Sequence, residues 1–140
     1  MIRFLLDTNV VSELRKRKPH GAVLEWINAA DGEELAIPGI VLAELQMGVE
    51  LTRRNDSRKA LEIEAWIERI AATYQVIAMD GNCFREWARI IHRQSQALRE
   101  DAMIAATARV HGLMVVTRNE ADFEPLGVSI LNPFKFRPKP

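Results

Sequence analysis

The sequence predicts a three-layer α/β/α domain with a central parallel sheet of four or five strands. Short apolar segments alternate with longer stretches of helical periodicity along the 140 residues, a pattern that favours parallel strands joined by helical crossovers. A chain of this length is the size of one ordinary domain, with no room for a second. We place the domain at residues 1–132 and interpret residues 133–140 as a C-terminal tail.

Composition narrows the class of protein further. The content of 48% hydrophobic and 27% charged residues is typical of a globular protein in water. No apolar run reaches the length of a membrane span and no secretory signal is visible, so we expect a cytoplasmic protein without membrane contact. Nineteen basic residues balance nineteen acidic ones, unlike proteins that coat nucleic acid. The single cysteine, Cys83, excludes an internal disulfide and is interpreted as a small buried hydrophobe.

The first strand is predicted at residues 2–6, an apolar run that suits a strand covered on both faces. Asp7 follows at its carboxyl end, the sheet edge where open α/β folds bind ligands. Thr8 and Asn9 are able to cap the helix that follows. Helix capping alone is the alternative explanation for Asp7. The basic run Arg15–Lys18 lies close to it in sequence.

The middle of the chain alternates between the two periodicities. Helical spacing of apolar residues occurs at 22–27, 40–49, 61–70 and 84–91, and strand patterns occur at 35–37 and 75–79. Glu44 lies among apolar neighbours, where a carboxylate is costly unless it has a partner. A helix-surface glutamate is the alternative explanation. Asp80 is better interpreted as a turn or cap residue, because glycine and asparagine follow it.

The C-terminal third begins with a strong helix signal, REDAMIAATARVHG, which has Asp101 in its first turn and Gly112 as its stop. Several alanines share the face of Asp101 and would let the helix lie close to the sheet. A favourable interaction with the helix dipole is the alternative reason for this acid. A fourth strand at 113–116 leads to Asp122, and residues 128–131 are a candidate fifth strand.

Acidic residues at one edge of a parallel sheet would form a distinctive site. Asp7 and Asp122 follow predicted strands, whereas Glu44 and Asp101 lie on helices with apolar faces. Carboxylates that close repel one another unless a cation neutralises them. Oxygen ligands favour Mg²⁺ or Mn²⁺, and the three histidines lack the spacing of zinc ligands. A hard divalent ion that activates water suits hydrolysis of a phosphodiester.

Four segments resemble, in the same order along the chain, the acidic motifs of the PIN-domain ribonucleases. They are LLDTNVVSEL with Asp7, LAEL with Glu44, EDAMIAATA with Asp101, and VVTRNEADF with Asp122. The resemblance is strongest to the VapC-type toxins of toxin–antitoxin pairs, in their FitB-like branch. It implies an endoribonuclease that uses magnesium or manganese, with Asp7 and Asp101 as the central metal ligands and Glu44 and Asp122 as the further acids.

The same resemblance implies polar site-lining residues and protein partners. Thr8, Thr117 and Asn119 match polar positions of the family's site, and the fourth acidic position is either Asp122 or Asn119. Family members are commonly homodimers inhibited by a small VapB-like antitoxin, and we expect both contacts at the helices around residues 40–70. The basic residues Arg15, Lys16, Arg17 and Lys18 are expected to contact the RNA backbone, so that affinity falls as salt rises.

One segment departs from the family pattern. Residues 92–99 lack the glycine or proline that often precedes the third acid. Either a tight polar turn joins the two helices, or the first helix continues and displaces Asp101.

Two other functions stay open on the sequence alone. A magnesium-dependent phosphatase would need a second acid two residues after Asp7, where this chain has Asn9. A catalytically silent PIN-like binding or assembly module would keep the fold without the activity, although all four acids are present.

Overall fold

The computed structural model describes residues 1–139 as seven helices around one five-stranded parallel sheet. The strands are β1 (Phe4–Leu6), β2 (Leu35–Pro38), β3 (Gln75–Ile77), β4 (Met114–Val116) and β5 (Ile130–Leu131). The helices are α1 (Thr8–Glu13), α2 (Gly21–Ala29), α3 (Gly39–Arg53), α4 (Ser57–Thr73), α5 (Gly81–Ile91), α6 (Arg99–His111) and α7 (Glu120–Phe123). The predicted parallel sheet is confirmed, including its fifth strand.

The strand order β3-β2-β1-β4-β5 reverses direction at β1. The chain steps from β1 to β2 and β3 on one side, and then returns to place β4 and β5 on the other. Because parallel crossovers are right-handed, α1–α4 cover one face of the sheet and α5–α7 the other. The reversal leaves a crevice between the carboxyl ends of β1 and β4, the usual ligand position in open α/β sheets.

The core consists of the short strands and the helix faces that cover them. Leu5, Leu6, Val115 and Val116 are fully buried, as expected for central strands with helices on both sides. On α6, four alanines are buried and bring the helix close to the sheet: Ala102, Ala105, Ala106 and Ala108. Cys83 is buried and forms no disulfide with any described residue, in agreement with its interpretation as a hydrophobe.

Local structure corrects or decides four predictions. Strand β3 ends at Ile77, two residues earlier than predicted. The N-cap of α1 is Asp7 rather than Thr8 or Asn9. Asp80 caps α5 by accepting a hydrogen bond of 2.9 Å from the backbone N–H of Cys83. Helix α5 ends at residue 91, and a polar turn followed by a single 3₁₀ turn at residues 96–98 leads into α6, so the tight-turn alternative is correct.

The residues after β5 pack against the domain. Pro133–Lys135 forms a 3₁₀ turn beside α2, and Phe134 and Phe136 lie against the hydrophobic core. The division into a domain at 1–132 and a tail at 133–140 stays a prediction, and Pro140 lies outside the described residues. Within residues 1–139, no helix is long and apolar enough to cross a bilayer.

Candidate acidic site at the sheet edge

Asp7 lies between the end of β1 and the start of α1, at the crevice where the strand order reverses. Its backbone N–H donates to the carbonyl of Val116 at 2.9 Å, which ties the end of β1 to β4. Its side chain is only 4% exposed, and Oδ1 accepts a hydrogen bond of 2.7 Å from the N–H of Thr8. The residue is therefore both a helix cap and a site carboxylate, and the two explanations offered by the sequence are compatible.

A polar network fixes the second oxygen of Asp7. The buried Thr117, at the end of β4, donates its hydroxyl hydrogen to Asp7 Oδ2 at 2.7 Å. Asn9 Nδ2 donates to the same oxygen at 3.1 Å and reaches Thr117 Oγ1 at 3.4 Å. The Asn9 side-chain carbonyl in turn accepts from the backbone N–H of Arg118 at 3.2 Å. The network orients the carboxylate and joins the first and last motifs of the site.

Burial raises the pKa of Asp7 above its ordinary value, although three hydrogen bonds lower it. Those bonds come from Thr117, Thr8 and Asn9, and the negative charge of Asp122 adds to the rise. Burial is also the main reason that the pKa of Asp101 rises to about 6, followed by repulsion from Asp7 and Asp122. Each carboxylate therefore lies within electrostatic range of the others.

Glu44 is the most perturbed acid of the group. Burial and the charge of Asp7 raise its pKa to about 7, with further repulsion from Asp101 and Glu100. It enters the site from α3, a helix that begins directly after β2. The hydroxyl of Thr8 lies near the Glu44 carboxylate and lowers its pKa. The geometry between the two groups is nevertheless not that of a hydrogen bond, so Thr8 Oγ1 is buried without a partner. A polar atom left in this state marks a position for a further ligand.

Asp122 and Asn119 lie at the outer side of the site. Both are exposed, but only Asp122 carries a charge, and this charge raises the pKa of Asp7 and of Asp101. The backbone N–H of Asn119 donates to Thr117 Oγ1 at 2.9 Å, so Asn119 supports the hydroxyl that binds Asp7. This geometry favours Asp122 as the fourth acid and gives Asn119 a supporting position.

The donor set suits a hard cation. None of the four acids pairs with a lysine or arginine anywhere in residues 1–139. Across the same stretch, no group of three or more Asp, Glu, His or Cys side chains is arranged to hold a metal ion. Mg²⁺ usually binds through one or two carboxylates and keeps several waters, so two of these acids would be enough to hold it.

The basic run predicted to contact RNA follows the far end of α1. Its residues Arg15, Lys16, Arg17 and Lys18 are exposed, about 9 Å along the helix axis from Asp7. Lys16 Nζ pairs with Glu13 Oε2 at 2.8 Å, and Glu13 also accepts from the backbone N–H of His20 at 2.8 Å. Glu13 thus fixes the turn that carries the basic run.

Sequence reasoning missed Arg118, which is the basic residue nearest to the network. It follows Thr117 directly, and its guanidinium lies 4.9 Å from the centroid of the Phe134 ring. The same ring packs edge-on against His20, at a centroid distance of 5.1 Å. The cue was present in the sequence as VVTRN, but only the packing of the C-terminal residues reveals the aromatic support. The sequence predicts Asn9 as a helix cap and as the residue that stands where a phosphatase would have its second acid, and it does not predict the hydrogen bond of Asn9 to Asp7.

Comparison with known proteins decides the family. The model of the PIN domain matches residues 4–127 of this chain. The chain belongs to the PIN-domain family. As a PIN domain, it is similar to the VapC ribonuclease Y4jK of Sinorhizobium fredii, with 37% identity over 139 residues that cover 94% of this chain and 97% of the relative.

Two further comparisons agree with this membership. Toxin FitB of Neisseria gonorrhoeae is 31% identical to this PIN domain over 137 residues, which cover 93% of the chain and 97% of FitB. The crystal structure of FitAcB from the same organism superimposes with a TM-score of 0.83 at 30% identity, covering 95% of this chain and 99% of that one. The predicted family and fold are therefore confirmed.

Proposed function

We propose that this PIN domain is a metal-dependent endoribonuclease that hydrolyses RNA phosphodiesters as the toxin of a toxin–antitoxin pair. The observation that carries the proposal is the gathering of Asp7, Glu44, Asp101 and Asp122 at the strand-order reversal, where burial and mutual repulsion raise the pKa of three of them. The relatives named VapC ribonuclease and toxin FitB support the same activity.

We assign Mg²⁺, with Mn²⁺ as a substitute, to the four acids. Asp7 and Asp101 would be the principal ligands, and Glu44 and Asp122 would complete the site. When bound, the ion lowers the pKa of water and offsets negative charge on the phosphate. The chain supplies the orientation: Thr117, which donates to Asp7 at 2.7 Å, prevents rotation of that carboxylate.

The basic residues around the site would bind the RNA backbone. Arg118 is exposed, directly follows Thr117 and is supported by the ring of Phe134. The run from Arg15 to Lys18 would extend this contact beyond α1. Phosphate contacts of this kind release counterions, so we expect RNA affinity to fall as salt rises. An affinity that does not change with salt would contradict this part of the proposal.

Cleavage of labelled RNA by the purified chain, freed of any partner, tests the activity. We expect cleavage with manganese, none with EDTA, and loss of cleavage by Asp101→Asn in protein that keeps its circular dichroism spectrum. Glu25→Gln is the matched control, because this exposed acid lies on α2 outside the site. Cleavage that persists in EDTA or in Asp101→Asn would refute the mechanism. Absence of cleavage by the wild-type chain with metal would favour a silent binding module.

We further propose that α3 and α4 provide the surface for a second copy of the chain and for a VapB-like antitoxin. Met47, Leu51 and Leu61 expose 66%, 53% and 60% of their surfaces on these helices, and exposed apolar patches often mark protein–protein contacts.

Size-exclusion chromatography with light scattering measures the mass of the assembly and tests whether this surface forms a dimer. Leu51→Glu should shift the chain from dimer toward monomer, because a buried charge opposes association. Leu24→Glu, on α2 at 40% exposure, is the control and should leave the mass unchanged. Equal masses for wild type and Leu51→Glu would contradict the assignment.

A further inference from the structure

A second charged cluster lies away from the acids, in a cleft between the end of α5, the last turns of α6 and the residues that precede β5. The cleft has a volume of about 410 Å³ and is lined by Arg89, His92, Arg93 and Arg109. Glu86 is the one acid in its lining. We call it the arginine cleft. Arg89 and Arg93 lie four residues apart at the end of α5, and the packing of α6 against α5 brings Arg109 to them.

The guanidinium groups of the arginine cleft are poorly satisfied within the chain. Arg89 Nη1 and Arg109 Nε lie 3.9 Å and 4.0 Å from the two oxygens of Glu86, at the outer limit of ion pairing. Arg109 Nη1 reaches the carbonyl of Leu126 at 3.5 Å. Among residues 1–139, Arg93 has no side-chain partner within hydrogen-bond or ion-pair distance. Each guanidinium carries five N–H donors, so most donors of the cleft have no acceptor within residues 1–139.

Such a set of donors matches phosphate oxygens. Guanidinium groups are planar, permanently charged and bind phosphate through two parallel hydrogen bonds. Three arginines oppose one glutamate in the lining, so the cleft carries an excess of positive charge although the whole chain has a net charge of zero. An anionic ligand would therefore replace the long contacts with short ones.

The position of the cleft connects it to the acidic site. Helix α6 carries Asp101 in its first turn and Arg109 near its end, and the step of eight positions from one to the other rises about 12 Å. A polyanionic substrate is repelled by the four acids and by Glu100 until cations offset them, so positive contacts elsewhere on the surface must hold it. The arginine cleft is placed to do so along the same helix.

We propose that the arginine cleft binds backbone phosphates of the RNA strand that extends beyond the acidic site. The inference rests on the proposed ribonuclease function and names a second contact region for the same substrate. Arg93 and Arg109 would bind phosphate directly, and Glu86 would weaken the binding by its charge. An acidic peptide is the competing occupant, but nothing along α6 connects a peptide to the acids in the way that a continuous RNA strand does.

The test measures RNA binding separately from cleavage. Fluorescence anisotropy of a labelled single-stranded RNA is recorded with the full chain carrying Asp101→Asn, in EDTA, over a series of salt concentrations. Replacing Arg93 and Arg109 together by alanine should weaken binding about tenfold, and should reduce the slope of log affinity against log salt by about 1.4, at ~0.7 for each phosphate contact on a single strand. The Arg93→Lys and Arg109→Lys double variant should keep the slope because it keeps both charges.

A variant that should tighten RNA binding distinguishes the loss of a phosphate contact from a loss of structure. Glu86→Gln should tighten RNA binding about two- to fivefold by removing the opposing charge, whereas loss of structure would only weaken it. Arg69→Ala, an exposed arginine on α4, should change little. Unchanged affinity in the double alanine variant, or weaker binding in Glu86→Gln, would overturn the proposal. If the wild-type chain cleaves no RNA but shows these binding changes, the ribonuclease function fails and the cleft assignment stands.

Discussion

Removal of the Thr117 hydroxyl should destabilise the chain more than the size of the change suggests. Thr117 is fully buried and gives Asp7 its hydrogen bond of 2.7 Å, and the same hydroxyl accepts from the backbone N–H of Asn119 at 2.9 Å. A hydrogen bond to an ionised group contributes about 1.5–3 kcal/mol, and a buried donor left unpaired adds to the loss. We expect Thr117→Val to lower the free energy of unfolding by about 2–4 kcal/mol at pH 7.5.

Urea unfolding in EDTA measures this effect, with Thr117→Ser as the matched control. The serine variant keeps the hydroxyl and loses one buried methyl group, which costs about 1 kcal/mol. Loss of the hydrogen bond from Thr117 should also raise the pKa of Asp7 further, because that bond favours the ionised form. The difference between the two variants should therefore shrink toward acidic pH. A valine variant as stable as the serine variant at pH 7.5 would refute the reasoning.

Two further predictions concern the charge of the site and its rim. The pKa of Glu44 is raised to about 7, so the folded chain retains a proton that the unfolded chain releases, and metal-free stability should fall as pH rises from about 4.5 to 7. Glu44→Gln should remove this loss and raise the free energy of unfolding by about 1 kcal/mol at pH 8, after allowance for solvent screening, with little gain at pH 4. Urea titrations at both pH values measure the difference. An equal gain at both pH values would contradict the prediction. Phe134→Ala should raise the KM for RNA severalfold with little change in kcat, because the guanidinium of Arg118 loses the aromatic ring that lies 4.9 Å from it. The control variant Phe134→Tyr keeps an aromatic ring and should keep the KM. Equal kinetics for both variants would refute the supporting role of the ring.

The sequence predicted the sheet and the acids because both depend on short-range patterns. The apolar run ending at Asp7 specified a buried strand, and the alanine-rich face of α6 specified close packing near Asp101. Parallel pairing then required both carboxylates to meet at one edge. These steps needed only periodicity and the direction of the strands.

Features that depend on contacts distant in sequence were not predictable in this way. Within the segment 133–140, which the sequence predicts as a tail, Phe134 meets Arg118 and His20 only after β5 has joined the sheet. The arginine cleft was missed for the same reason, since Arg109 meets Arg89 and Arg93 only when α6 packs against α5. The early end of β3 at Ile77 reflects its edge position, where one neighbouring strand supplies the pairing.

The double role of Asp7 limits how this PIN domain can be inactivated by mutation. Oδ1 of its carboxylate caps the start of α1, so a truncation to alanine would remove the cap together with the charge. Asparagine could keep an oxygen for the N–H of Thr8, but its NH2 group would then face Thr117 and Asn9, which both donate to Oδ2. A folded copy that lacks one site charge is therefore better sought at Asp101, which does not cap its helix, and Asp101→Asn is the better bait for trapping uncut RNA and intact partner complexes.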